Sequence, residues 1–86
     1  MNISIDLTLS PLQDDYEKHV IDFIKALRDS EFTVLENPLS TQIYGEFSKL
    51  MPFLTQAIET SFENQNICVL TMKVVKTDRS AYEPHF

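Results

Sequence analysis

The chain has 86 residues, 43% hydrophobic and 23% charged, with a net charge of −6. This composition supports one globular domain, and the acidic balance suits neither nucleic acid nor an anionic membrane, which need a basic face. A lone cysteine, Cys68, cannot close an internal disulfide, no Cys/His spacing suggests zinc, and no apolar run is long enough to cross a bilayer.

Residues 2–10 alternate, with Ile3, Ile5, Leu7 and Leu9 on one face and Asn2, Ser4, Asp6, Thr8 and Ser10 on the other. Period two predicts a half-buried strand. Its polar face carries only small or acidic groups. Residues 1–6 hold no basic region or long apolar run, so no signal peptide is expected and the cytoplasm is the default location. Asp14 or Asp15 can cap a helix, and Glu17 completes a capping-box pattern after Asp14. Tyr16, Val20, Phe23, Ile24 and Leu27 then form one apolar stripe through about Asp29. His19 falls off that stripe and reads as a surface histidine.

Phe32–Glu36 reads as a second strand. Asn37-Pro38 opens a turn, because proline cannot donate to a sheet ladder, and Thr41–Phe47 returns as a third strand to make a hairpin. Gly45, the only glycine, lies inside that third strand. Glycine there signals a bulge or the close approach of a ligand or backbone, or else relieves crowding under a helix.

Ser48 suits an N-cap, with Pro52 in the first turn. Leu50, Phe53, Leu54, Ala57, Ile58, Ser61 and Phe62 predict a second amphipathic helix to about Glu63. Asn64-Gln65-Asn66 closes it, with asparagine in place of the usual glycine. Ile67–Val75 is so continuously apolar that a strand covered on both sides is expected. Residues 77–86 form a polar tail, in which Tyr82, His85 and Phe86 are apolar enough to dock on a neighbour.

The order β-α-β-β-α-β predicts a single ferredoxin-like α+β domain over residues 1–86. Right-handed crossovers place both helices on one face of a four-stranded antiparallel sheet. If Cys68, Leu70, Met72 and Val74 face the helices, Val69 and Val75 join Tyr44 on the bare face. Such a patch is a physical reason to expect oligomers.

No Ser–His–Asp or Cys–His spacing is present, and one glycine cannot build a phosphate-cradling loop. With no holder for general acid or base work, no catalytic residue, metal site or cofactor is expected. What stands out is a set of uncharged hydrogen-bonding groups at strand ends: Thr8 and Ser10, then Asn37, Ser40 and Thr41. Antiparallel neighbours can bring these together, where they would orient a polar heterocycle. Asp6 or Glu36 would favour a cationic one. The same residue types also build turns.

Thr8-Leu9-Ser10-Pro11-Leu12 resembles the [S/T]-x-x-P-[L/M] end of the first strand in the YkoF-like thiamine/hydroxymethylpyrimidine-binding family. Pro38-Leu39-Ser40-Thr41-Gln42-Ile43-Tyr44-Gly45-Glu46 is similar to that family's hairpin, and Val69–Lys73 to its last strand. Gln13 stands where many members carry glycine. The resemblance implies the ferredoxin-like fold, dimers or tetramers formed through the sheets, and binding of thiamine or its pyrimidine precursor without catalysis. By position it implies Thr8 and Thr41 as pocket residues, and Gly45 as the spot where a side chain would intrude.

Two readings result. In the first, a cytoplasmic, non-catalytic protein binds thiamine or its hydroxymethylpyrimidine moiety. Thr8, Ser10, Ser40 and Thr41 would bond the pyrimidine, with Asn37 beside them. Asp6 or Glu36 would offset the thiazolium charge and Tyr44 would stack on a ring. In the second, the domain is a structural or regulatory assembly module with no dedicated ligand.

Overall fold

The computed structural model describes residues 1–85; the expectation that Phe86 docks on a neighbour lies outside them. The elements are β1 (Asn2–Pro11), α1 (Tyr16–Arg28), β2 (Thr33–Glu36), β3 (Thr41–Glu46), α2 (Phe47–Glu63) and β4 (Cys68–Val75). The strands form one antiparallel sheet in the order β2-β3-β1-β4. This is the ferredoxin-like α+β fold.

Strand alternation decides what each face carries. Ile5 pairs with Ile43 on one side and Val74 on the other, so these residues share the helix-facing side. Ile3, Ile5, Leu7, Phe23, Leu27, Ile43, Leu50 and Leu54 form the buried core. Each such side chain contributes roughly 1.5–3 kcal/mol on burial. On the opposite face Asp6 lies between Gln42 and Lys73, and Ser4 between Tyr44 and Val75. Val69 and Val75 are therefore on the open face, as the alternation requires.

Several local expectations need correction. The buried line of α1 runs through His19, Phe23 and Leu27 at i, i+4 spacing, while Tyr16 is exposed. His19 is not a surface residue: it is 6% exposed, and its Nε2 lies 3.1 Å from both Asp15 Oδ2 and Gln13 Nε2. Asp15 sits at the N-cap position but turns its carboxylate to these partners, so no side-chain cap forms. Likewise α2 starts at Phe47, with Glu46 at the N-cap, two residues earlier than a Ser48 cap requires. Ser48 Oγ donates to Glu46 Oε1 instead, and Pro52 falls beyond the first turn. Asn64 closes α2 without a left-handed backbone, its φ being −93°.

The last strand is the largest departure. β4 is an edge strand lying beyond both helices. Val69, Met72, Val74 and Val75 are all exposed, on both faces of the sheet. Apart from Cys68 and Leu70, which are half-buried, Leu70 against the core, its apolar run is thus uncovered within one chain. The tail after it folds back on the open face. Ser4, itself buried, donates its hydroxyl to the Thr77 carbonyl at 2.6 Å and accepts from the Arg79 amide at 2.8 Å.

Candidate functional site

Pairing between β1 and β3 stops at Leu7 and Thr41, while β1 runs on beside β4 to Pro11. Beyond Leu7 the edge of β1 on the β3 side is uncovered, and the β2–β3 turn arches past it. A cavity of about 220 Å³ opens there. Thr8, Asn37, Ser40 and Thr41 line it together, with Val20, Phe23 and Ile24 of α1 forming its apolar wall. Residues distant in sequence therefore converge at one end of the sheet.

Their side chains have different tasks. Asn37 builds the turn: its Oδ1 accepts from the Leu39 and Ser40 amides at 2.9 and 3.1 Å, and its Nδ2 donates to Gln42 Oε1 at 3.2 Å. This Asx geometry is why an asparagine suits that position. Ser40 Oγ donates to Asp6 Oδ1 at 2.7 Å and accepts from Gln42 Nε2 at 2.8 Å. Its single proton is committed, so toward the cavity it offers a lone pair. Thr41 is 7% exposed. Among the described residues neither Thr8 nor Thr41 directs its hydroxyl to a protein partner, which leaves both able to donate or accept. The cavity thus combines a flat apolar wall with a small number of fixed polar groups.

The other sequence candidates lie elsewhere. Asp6 and Tyr44 are on the open face, because strand alternation turns them away from Thr41 and Ile43. Asp6 reaches the cavity only through Ser40. Hydrogen bonds from Gln42 first, then Ser40, hold its carboxyl below the ordinary 3.8. Burial raises the Tyr44 hydroxyl, aided by the nearby Asp78 and Asp6 charges. Ser10 is exposed opposite Val69 and is absent from the cavity lining. Glu36 is engaged by Arg28 in a two-pronged ion pair and cannot serve a ligand's charge without giving that up. Gly45 answers a neighbour within the chain: a Cβ there would lie 2.6 Å from Phe32 Cδ1, so the Phe32 ring occupies the space a side chain would need. Its φ is not positive, and no ligand is required to explain it.

Further hollows lie elsewhere among the described residues. One, of about 210 Å³, runs between α1 and α2 over Phe23, Ala26, Phe53 and Ala57. Another, of about 240 Å³, lies on the open face. Phe23 separates the helix groove from the cavity under the turn. Composition alone did not suggest the groove, since its alanines read as ordinary helix formers. Among the described residues no three His, Cys, Asp or Glu side chains converge as metal ligands, and no helix is long and apolar enough to cross a membrane.

No family model matches the sequence, nor does any curated protein. Solved structures are similar to it over nearly the whole chain. Protein SP2199 from Streptococcus pneumoniae is 25% identical with a TM-score of 0.84, covering 94% of this chain and 92% of its own. A candidate thiamine biosynthesis/salvage protein from Thermotoga maritima is 14% identical with a TM-score of 0.80, over 90% of this chain and 85% of its own. A domain of unknown function, DUF77, from Bacillus cereus is 15% identical with a TM-score of 0.72, over 99% of this chain and 79% of its own. The last two likenesses establish the shared fold.

Proposed function

We propose that this is a cytoplasmic, non-catalytic binding protein for thiamine or its hydroxymethylpyrimidine moiety, held in the cavity under the β2–β3 turn. The observation that carries this reading is the convergence of Thr8, Ser40 and Thr41 on that cavity beside an apolar wall. At about 220 Å³ the space lies below the roughly 300 Å³ at which sites for drug-sized ligands begin, so one ring enters rather than a whole large cofactor. The Ser40 lone pair would accept from the exocyclic amine, and the Thr8 and Thr41 hydroxyls would donate to ring nitrogens. A net charge of −6 favours a cationic ligand's approach. The description of the Thermotoga maritima neighbour supports the choice of ligand. Calorimetric titration with thiamine and separately with hydroxymethylpyrimidine tests it. Saturable heat with either supports the reading, and none from either at millimolar concentration removes it.

A second reading, self-assembly, is favoured by the uncovered β4 edge, where Val69, Met72, Val74 and Val75 stand exposed around unpaired backbone groups. A homodimer pairing β4 with its copy, or a tetramer built from such dimers, would cover them. The two readings are compatible, because the cavity lies on the β3 side of β1, away from that edge.

A further inference from the structure

We propose that the groove between α1 and α2 is a second binding site, which takes a small neutral aromatic ring carrying one hydrogen-bond donor, as a phenol does. Its lining includes His19, Asp22, Phe23 and Ala26 from α1 and Phe53 and Ala57 from α2. The two alanines leave a gap that longer side chains would fill, and the two phenylalanine rings wall it. Phe53 is braced in turn by Phe32, their ring centres 5.4 Å apart. At about 210 Å³ the space lies below the roughly 300 Å³ at which sites for drug-sized ligands begin, so it suits one ring.

His19 separates this groove from an ordinary packing gap. The residue is 6% exposed, and its Nε2 faces Asp15 Oδ2 at 3.1 Å. A carboxylate cannot donate, so the proton of that bond stands on Nε2 and the neutral ring presents Nδ1 as a bare acceptor. Gln13 Nε2, also 3.1 Å from Nε2, donates to Asp15 Oδ1 instead. Among the described residues Nδ1 has no protein partner, yet it is not sealed off as Gln65 Oε1 is. The groove is the hollow onto which this ring opens. Buried polar groups are ordinarily paired, so an acceptor at the end of an apolar slot calls for a donor from outside the chain. The imidazole is also held for that task. Gln13 Oε1 accepts from the Asn66 amide at 3.0 Å, which ties the segment after α2 to the partners of His19. Charge selects against ions. No lysine or arginine lines the groove to hold an anion. Asp22 is exposed and has Lys18 and Lys25 one turn away on either side, so it gives little pull on a cation.

The test is an amide NMR titration of the full chain with phenol, and separately with anisole and with benzoate. Anisole covers the phenol oxygen with a methyl group, and benzoate carries a negative charge. The expected result is saturable shifts centred on His19, Phe23, Ala26 and Ala57 with phenol, and binding at least fivefold weaker with each of the others. Ala26→Leu fills the groove from an exposed helix position, where leucine keeps a high helix propensity, and should abolish phenol binding with the fold intact. His19→Leu should bring phenol down to the level of anisole. If that variant does not fold, Ala26→Leu and the comparison of phenol with anisole still decide. No saturable shift from phenol, equal binding of phenol and anisole, shifts centred on Thr8 and Thr41 instead, or full phenol binding by Ala26→Leu would each overturn the proposal. So would groove signals that move on dilution of the free chain, which would put a second copy of the chain there.

Discussion

Ser40 and Asp6, 34 residues apart, are joined by a hydrogen bond of 2.7 Å from the serine hydroxyl to the aspartate. This contact ties the β2–β3 turn to the central strand. It also sets the sense in which Ser40 faces the cavity, since the hydroxyl proton is directed away from it. A residue on the solvent face of the sheet thereby governs the polarity of a cavity on the helix side.

That link gives a pH dependence. The Asp6 carboxyl titrates below its ordinary value in the folded chain, through the Gln42 and Ser40 hydrogen bonds. The unfolded chain then holds more protons than the folded one in that interval, so stability rises with pH there. The contribution is complete above the unfolded value and is lost as pH falls through the folded one. Thermal melts from pH 2.5 to 7 should show a smaller acid-side loss for Asp6→Asn than for the wild type. Equal slopes would show that Asp6 is not linked to folding.

For the cavity, Thr41→Val keeps the shape and removes the hydroxyl, and Ser40→Ala removes the acceptor. Each should weaken thiamine or hydroxymethylpyrimidine at least tenfold, about 1.4 kcal/mol, in the same calorimetric assay. Ser10→Ala, outside the cavity lining, should leave affinity unchanged.

Gly45→Ala should destabilise the fold by about 1–3 kcal/mol, because the new methyl meets Phe32 at 2.6 Å. Urea denaturation measures this. The cost should shrink when Phe32 is changed to Ala in the same chain, and a cycle showing strict additivity would exclude the contact as the cause.

Assembly is checked at the β4 edge. Met72→Glu places a carboxylate at the centre of the exposed apolar strand. Sedimentation should show a dimer or tetramer for the wild type and a shift to monomer for this variant, with little change in its melting temperature. A wild type that stays monomeric at high concentration would remove the assembly reading.

The element order was legible because β1 alternates cleanly and both helices carry apolar residues at helical spacing. The meeting of Thr8 with Ser40 and Thr41 was legible too, since antiparallel strands bring their ends together. Asp6 and Tyr44 lie outside the cavity lining: both sit on the open face where β1 and β3 are still paired, and Asp6 meets the turn there only through Ser40 and Gln42. His19 was misread since an apolar stripe marks an arc of a helix without its margins, and a histidine with two polar neighbours can lie inside that arc. The exposure of β4 was hidden for a simpler reason. A strand covered by its own helices and one awaiting another chain have the same composition.

Ser4 holds the Thr77 carbonyl from 73 residues away, and β1 sits between β3 and β4 in the sheet. The central strand is therefore completed on one side only by β4, which follows every other element. A pairing between segments so far apart must meet its loop-closure cost before its contacts repay it, so β4 docks late in refolding, onto a core that both helices have already closed.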